Sequence, residues 1–267
     1  MEHVTSRQND LVRRFRELAR DSREGDAILL DGVHLIEEAL AAGITLEAVA
    51  LASSAAQDRL APLLTRCSAS AARVVTMPDA LLAAISPVRS ASPAVAIARL
   101  RLATVDAALS HQPPLVLFLD GVQEPGNVGA IIRAAEACGA TAVITGPGTA
   151  DPLGWKALRG SMGSVFRLPV ASTRSLADAL PAARTAGLHL YAAVPRGGTP
   201  LTQANLACPA GIVLGGEGGG LPAETVAGTD EGLTITMRPP VESLNVAIAA
   251  ALVLYEASRQ RANVTVR

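Results

Sequence analysis

Three stretches of the chain put polar side chains beside long apolar runs. EPGNVGAIIR (124–133) carries Asn127 and, six residues on, Arg133; VLGGEGGGLP (213–222) sets Glu217 among five glycines; ESLNVAIAAALVLYE (242–256) opens with Ser243 and Asn245. A guanidinium is always charged and offers five donors, which suits phosphate binding and stabilisation of a developing oxyanion. The glycine stretch invites a phosphate reading, but GGEGGGLP satisfies neither GxGxxG nor GxxxxGK[ST]. An ionised Glu217 would also repel a phosphate held on the same backbone amides, whereas it can accept from hydroxyl or amine donors or pair with an arginine. Simpler readings stand beside these. Arg133, next to Ile131, Ile132, Ala134 and Ala135, fits a snorkelling surface residue. The glycine loop also fits a mobile turn with a solvated carboxylate, and 242–256 fits a capped helix begun by Glu242 or Ser243.

These residues need elements to position them. In the second half, LVLFLD (115–120), TAVITG (141–146), LHLYAAV (188–194), GIVLGG (211–216) and LTITM (233–237) read as strands. Helices are expected over about 127–138, capped by Asn127 and stopped by Gly139, over about 174–186, and over about 243–260, with a glycine- and proline-rich loop after TAVITG. Near-continuous apolar strands between helices indicate a parallel sheet covered on both faces. Such sheets bind ligands beyond the carboxyl ends of their strands, where the unusual residues fall. The first half alternates too: helix 8–20, strands 27–32, 46–51, 72–77 and 94–100, and helices 33–42, 55–66 and 78–85, a small α/β sandwich. HQPP (111–114) marks a boundary, and the break is placed near residue 105.

Composition narrows the class. The 267 residues are 49% hydrophobic and 18% charged, as in a soluble globular protein. No apolar stretch approaches the roughly 20 residues of a membrane span, and MEHVTSRQND has no leader-like core, so a cytoplasmic protein without membrane attachment is expected. Cys67, Cys138 and Cys208 suit neither a disulfide framework nor, with the four histidines, a metal site. A net charge of −1 argues against indiscriminate coating of nucleic acid but leaves room for a local patch. Every basic residue except Lys156 is arginine, and Arg7, Arg13, Arg14, Arg16, Arg20 and Arg23 crowd the start. They read either as the solvated face of an amphipathic helix or as an RNA contact.

The order and spacing of EPGNVGAIIRAAEACGA (124–140), IVLGGEGGGLP (212–222) and VESLNVAIAAALVLYEA (241–257) strongly resemble the three motifs of the SpoU-type, TrmH-like RNA ribose 2'-O-methyltransferases of the SPOUT superfamily. KALRGSMGSVFRLPV (156–170) is similar to that family as well, and SRQNDLVRRFREL with ILLDGVHLIEEAL carries a weaker likeness to the small ribosomal-protein-like domain that precedes the catalytic one in many members. The resemblance implies an α/β/α RNA substrate-binding domain over 1–105 and, over 106–267, a parallel-sheet methyltransferase domain closed by a trefoil knot. It implies S-adenosylmethionine as cofactor and no metal, in a pocket walled by Thr145, Gly146, Leu214, Gly215, Gly216, Glu217, Ile235, Met237, Leu244 and Asn245. Thr236 and Pro239 depart from the family's usual Pro and Gly near the last wall. By the same resemblance Arg133 is the catalytic arginine, stabilising the alkoxide and positioning phosphate. Asn127, Glu217, Ser243 and Asn245 support it, and Arg7, Arg13, Arg14 and Arg16 contact RNA. The implied partners are RNA, with 23S ribosomal RNA ahead of transfer RNA, and a second copy of the chain in a homodimer. The rivals are a non-catalytic RNA-binding protein with a residual pocket and an ordinary doubly wound nucleotide enzyme, whose glycine fingerprint is missing.

Overall fold

The computed structural model describes residues 1–20, 25–54, 57–88, 90 and 92–265; Arg23 lies outside them. Along the chain the elements are β1 (Glu2–His3), α1 (Asp10–Ala19), β2 (Ala27–Asp31), α2 (Val33–Ala41), β3 (Thr45–Ala52), α3 (Gln57–Ala69), β4 (Arg73–Met77), α4 (Asp79–Ile85), β5 (Ala94–Arg99) and α5 (Val105–Leu109). They continue as β6 (Leu115–Asp120), α6 (Pro125–Ala137), β7 (Ala142–Thr145), α7 (Trp155–Ser161), β8 (Val170–Ser172), α8 (Leu176–Thr185), β9 (His189–Ala193), β10 (Thr199–Pro200), β11 (Ala210–Gly215), α9 (Ala223–Ala227), β12 (Glu231–Thr234) and α10 (Val246–Thr265). The chain forms two compact units, Met1–Arg101 with Leu153–Phe166, and Leu102–Pro152 with Arg167–Arg267.

The first unit is built on a five-stranded sheet of order β1-β4-β3-β5-β2, in which β5 runs antiparallel to both β2 and β3. Alternation along β2 sends Ala27 and Leu29 to one face, where they join Leu11, Val12, Phe15 and Leu18 of α1 and the apolar side of α4. Those α1 residues recur at helical spacing, and the helix starts where the Asn9 side chain accepts from the Leu11 amide at 2.9 Å. The segment Leu153–Phe166, expected as part of a loop, contributes α7 to this unit, with Trp155 packed on the same core. Its helix was hidden by Gly154, Gly160 and Gly163, which read as loop residues.

The second unit holds a seven-stranded sheet of order β10-β12-β9-β11-β6-β7-β8, every neighbouring pair parallel. The expected parallel α/β sheet is therefore present. Val116, Phe118, Ala142, Ile144 and Val213 face α5 and α8, while α10 lies against α6 and β11. Strand order reverses at β6: the chain moves outward through β7 and β8, then returns to place β11 on the other side of β6. The loops after β6 and β11 consequently meet at the crevice where open α/β sheets bind ligands. Two helix starts differ from the sequence expectation. Glu124, accepting from the Gly126 amide at 3.3 Å, caps α6 and lets Pro125 occupy the first turn, so Asn127 is not the cap. The last helix begins at Val246, capped by Asn245 rather than by Glu242 or Ser243.

Candidate active site

At the crevice two backbones touch. A Cβ on Gly216 would fall 1.8 Å from the Gly121 carbonyl oxygen, and one on Gly215 would fall 2.4 Å from the Gly220 carbonyl carbon, so glycine is required at both by contact with main chain. This approach brings Glu217 over the start of α6. Its carboxylate accepts from the Gln123 amide at 2.9 Å and from Asn127 Nδ2 at 2.6 Å. Burial alone would raise the Glu217 pKa, but the hydrogen bonds from Asn127 and from the Gln123 amide outweigh it and hold the carboxyl below its ordinary value. Asn127 Oδ1 in turn accepts from Asn245 Nδ2 at 3.1 Å. The orientation of both amides is fixed, because Asn245 Oδ1 already accepts from the Ala247 and Ile248 amides at 2.9 and 3.3 Å. Three residues from three distant motifs thus form one relay, Glu217 to Asn127 to Asn245.

Beside the relay lies a cavity of about 650 Å³, the size range of small-molecule sites. Leu214, Gly215, Gly216, Glu217, Ile235, Met237, Ser243, Leu244 and Asn245, nine of the residues expected at the site, line it. Thr145 and Gly146 do not. Thr145 is buried, its hydroxyl engaged with the Ala171 carbonyl at 3.3 Å and Ser172 Oγ at 2.6 Å, and Gly146 is pressed against Leu119 and Leu176. The wall that the sequence reading missed is Ala193, Val194 and Pro195 after β9. Its only advance signal was position, immediately beyond an apolar strand. Leu214, Ile235, Met237 and Leu244 supply apolar surface, the glycines supply close main-chain donors and acceptors, and Glu217 supplies one negative charge. That donor set fits a nucleoside-like ligand with hydroxyls and a positive centre and disfavours a phosphate.

Arg133 sits elsewhere on α6, about 120° round the helix and about 9 Å along it from Asn127. It is exposed and has no hydrogen-bond or ion-pair partner among the described residues, as a side chain that awaits an external anion would be. In the first unit the arginines divide. Arg13 pairs with Asp10 at 2.9 Å and Arg14 with Glu47 at 2.5 Å, while Arg7 and Arg16 are exposed with no ion-pair partner among the described residues. Glu47 also pairs with Arg99, so Arg14 is held in a three-residue ionic cluster.

Residues 114–255 match the SpoU rRNA Methylase family, more than half of the chain. The chain belongs to that family. Over 263 residues this SpoU-family chain is 34% identical to a protein of Synechocystis named an uncharacterized tRNA/rRNA methyltransferase, covering 97% of this chain and 94% of that one. It is 29% identical to the 23S rRNA (guanosine(2553)-2'-O)-methyltransferase RlmP of Bacillus subtilis, covering 96% and 98% of the two chains. Among solved structures, the AdoMet-bound rRNA methyltransferase from Sinorhizobium meliloti superposes with a TM-score of 0.86 at 27% identity, with 97% of each chain covered. No helix among the described residues is long and apolar enough to cross a membrane.

Proposed function

We propose that this SpoU-family protein transfers a methyl group from S-adenosylmethionine to a ribose 2'-hydroxyl of structured RNA, with 23S ribosomal RNA as the substrate. The observation that carries this reading is the Glu217–Asn127–Asn245 relay beside the cavity, which ties the three motif segments into one site. Relatives that match over nearly the whole chain, the RlmP enzyme and the Sinorhizobium rRNA methyltransferase, support ribosomal RNA over transfer RNA.

When bound, S-adenosylmethionine supplies an electrophilic methyl group. The glycine loop 215–220 and Leu244 would hold its nucleoside portion, and Ile235 and Met237 would pack against its apolar parts. Arg133 binds a phosphate next to the target ribose and lowers the energy of the charge that develops on the 2'-oxygen as it attacks. Its guanidinium acts by charge and position rather than by taking the proton, and the 2'-hydroxyl proton is lost to solvent water. Asn127, locked between Glu217 and Asn245, holds the start of α6 in register with the cavity, which Ser243 also lines.

In this reading 106–267 is the catalytic domain, its C-terminal segment threaded as a trefoil knot, and 1–105 is the RNA substrate-binding domain. The enzyme works in the cytoplasm as a homodimer. Ile248, Leu252 and Tyr255, spaced on one side of α10 and exposed, support the dimer by offering an apolar seam. The experiment that tests the function is ribose-methylation mapping of total RNA with and without the protein, alongside Arg133→Ala. Loss of methyl transfer by at least about 100-fold with unchanged S-adenosylmethionine binding is expected. Retained methylation in Arg133→Ala would remove Arg133 from this role.

A further inference from the structure

The first unit carries basic residues from two places far apart in sequence. Trp155 of α7 packs on the same core as Leu11, Val12, Phe15, Leu18 and Ala19 of α1, and both helices lie against β2, the edge strand of the five-stranded sheet. They therefore cover the same face at the same edge. Burial of Ala157 and Leu158 decides which side of α7 looks outward: Lys156 and Arg159, three residues apart, are both exposed. Neither forms an ion pair among the described residues, and the Lys156 ammonium stands 5.5 Å from the Trp155 ring centroid. The end of α7 is fixed, since Met162 takes a left-handed φ of 50° and a Cβ on Gly163 would overlap Glu38. Arg16 on α1 and Arg20 at its C-terminal cap are exposed without ion-pair partners among the described residues, and Glu17 is an exposed acid beside them. Asp31, at the end of β2, is buried under a 2.6 Å hydrogen bond from Ser86 and is not a surface acid.

We infer that Lys156 and Arg159 complete, with Arg16 and Arg20, one surface that binds the phosphate backbone of RNA. Its halves are supplied by chain segments about 140 positions apart and brought together because α7 folds into the first unit. This rests on the RNA-methyltransferase reading above. The surface recognises charge and backbone rather than base sequence, because Lys and Arg side chains on rigid helices position a polyanion.

The test uses the full chain and a fluorescein-labelled 23S ribosomal RNA transcript, with affinity measured between about 50 and 200 mM KCl. For Lys156→Gln/Arg159→Gln the slope of log affinity against log salt becomes shallower by about 1.4 to 1.8. The wild-type advantage then shrinks by about 7- to 12-fold across that range. Arg66→Gln, on α3 of the same unit, leaves the slope unchanged, and Lys156→Arg/Arg159→Lys keeps the wild-type slope. S-adenosylmethionine binding at the wild-type level reports an intact fold. Should the double variant unfold, Lys156→Gln alone carries the test with about half the change. A wild-type slope in the Gln variants, or an equal flattening in Arg66→Gln, overturns the inference and leaves the methyltransferase reading standing. A wild-type protein that neither binds nor methylates the RNA overturns that reading, and this surface with it.

Discussion

Replacing Asn127 by Asp changes one atom of the relay from donor to acceptor and puts a second carboxylate against Glu217. In the native site Asn127 Nδ2 donates to Glu217 at 2.6 Å. The variant loses that hydrogen bond, about 1 kcal/mol net. It also sets two negative charges at about 4 Å, which costs ~1–4 kcal/mol for effective dielectric constants between 80 and 20. Glu217 is exposed, so the lower end applies and the sum is about 2 kcal/mol, or about 30-fold in kcat/KM. The sign of the pH effect follows from the same contact. Glu217 is held below its ordinary value of 4.5, so the wild-type relay is ionised and complete from pH 5 to 8; its contribution is lost only as pH falls through that depressed value. In Asn127→Asp the paired carboxyls have a raised apparent pKa, and a shared proton restores a donor between them as pH falls. The ratio of variant to wild-type kcat/KM should therefore climb from pH 8 toward pH 5, measured by tritiated methyl transfer to RNA. A ratio near one, or a reduced ratio that stays flat over that range, refutes the relay as the organiser of the site.

Two glycines of one loop should behave oppositely. Gly216→Ala places a Cβ 1.8 Å from the Gly121 carbonyl and is expected to cost about 1–3 kcal/mol and abolish S-adenosylmethionine binding, whereas Gly219→Ala, with open space around it, should bind normally in calorimetry. Glu256 is held at a pKa of about 2 by hydrogen bonds from Arg259 and Gln260, so its carboxyl carbon should titrate there by NMR and move up toward 4.5 in Arg259→Ala. The corresponding stability is present above pH 4.5 and disappears as pH falls toward 2; equal acid sensitivity of the two proteins would count against the pairing. Leu252→Glu on the exposed side of α10 should convert a dimer to monomer in sedimentation, while a wild-type protein that is fully active as a monomer would remove the dimer from the reading.

The parallel sheet was legible because LVLFLD, TAVITG and GIVLGG are short, near-continuous apolar runs between helices, the pattern of strands buried on both faces. Glu217 was legible as an anomaly, a carboxylate where a phosphate loop would exclude one, and Asn127, Ser243 and Asn245 stood out by their order in three motifs. Helix starts were less so: Asn127 looked like a cap, and only the fold shows that Glu124 takes that place and frees Asn127 to face Glu217. At Thr145 the fold adds what local sequence does not carry: its hydroxyl engages the Ala171 carbonyl and Ser172 in the sheet, and the residue does not line the cavity. The placement of α7 could not be read locally at all. Its glycines signal a loop, and β2, the strand of the first unit that α7 lies against, is more than 120 positions away from Trp155. Local periodicity is set by the chain's own geometry, and so the sequence determined the elements and the chemistry at their ends. Which distant side chains meet depends on the strand order and on long-range burial, and so tertiary structure alone decided the relay, the Val194–Pro195 wall and the joining of Lys156 and Arg159 to α1.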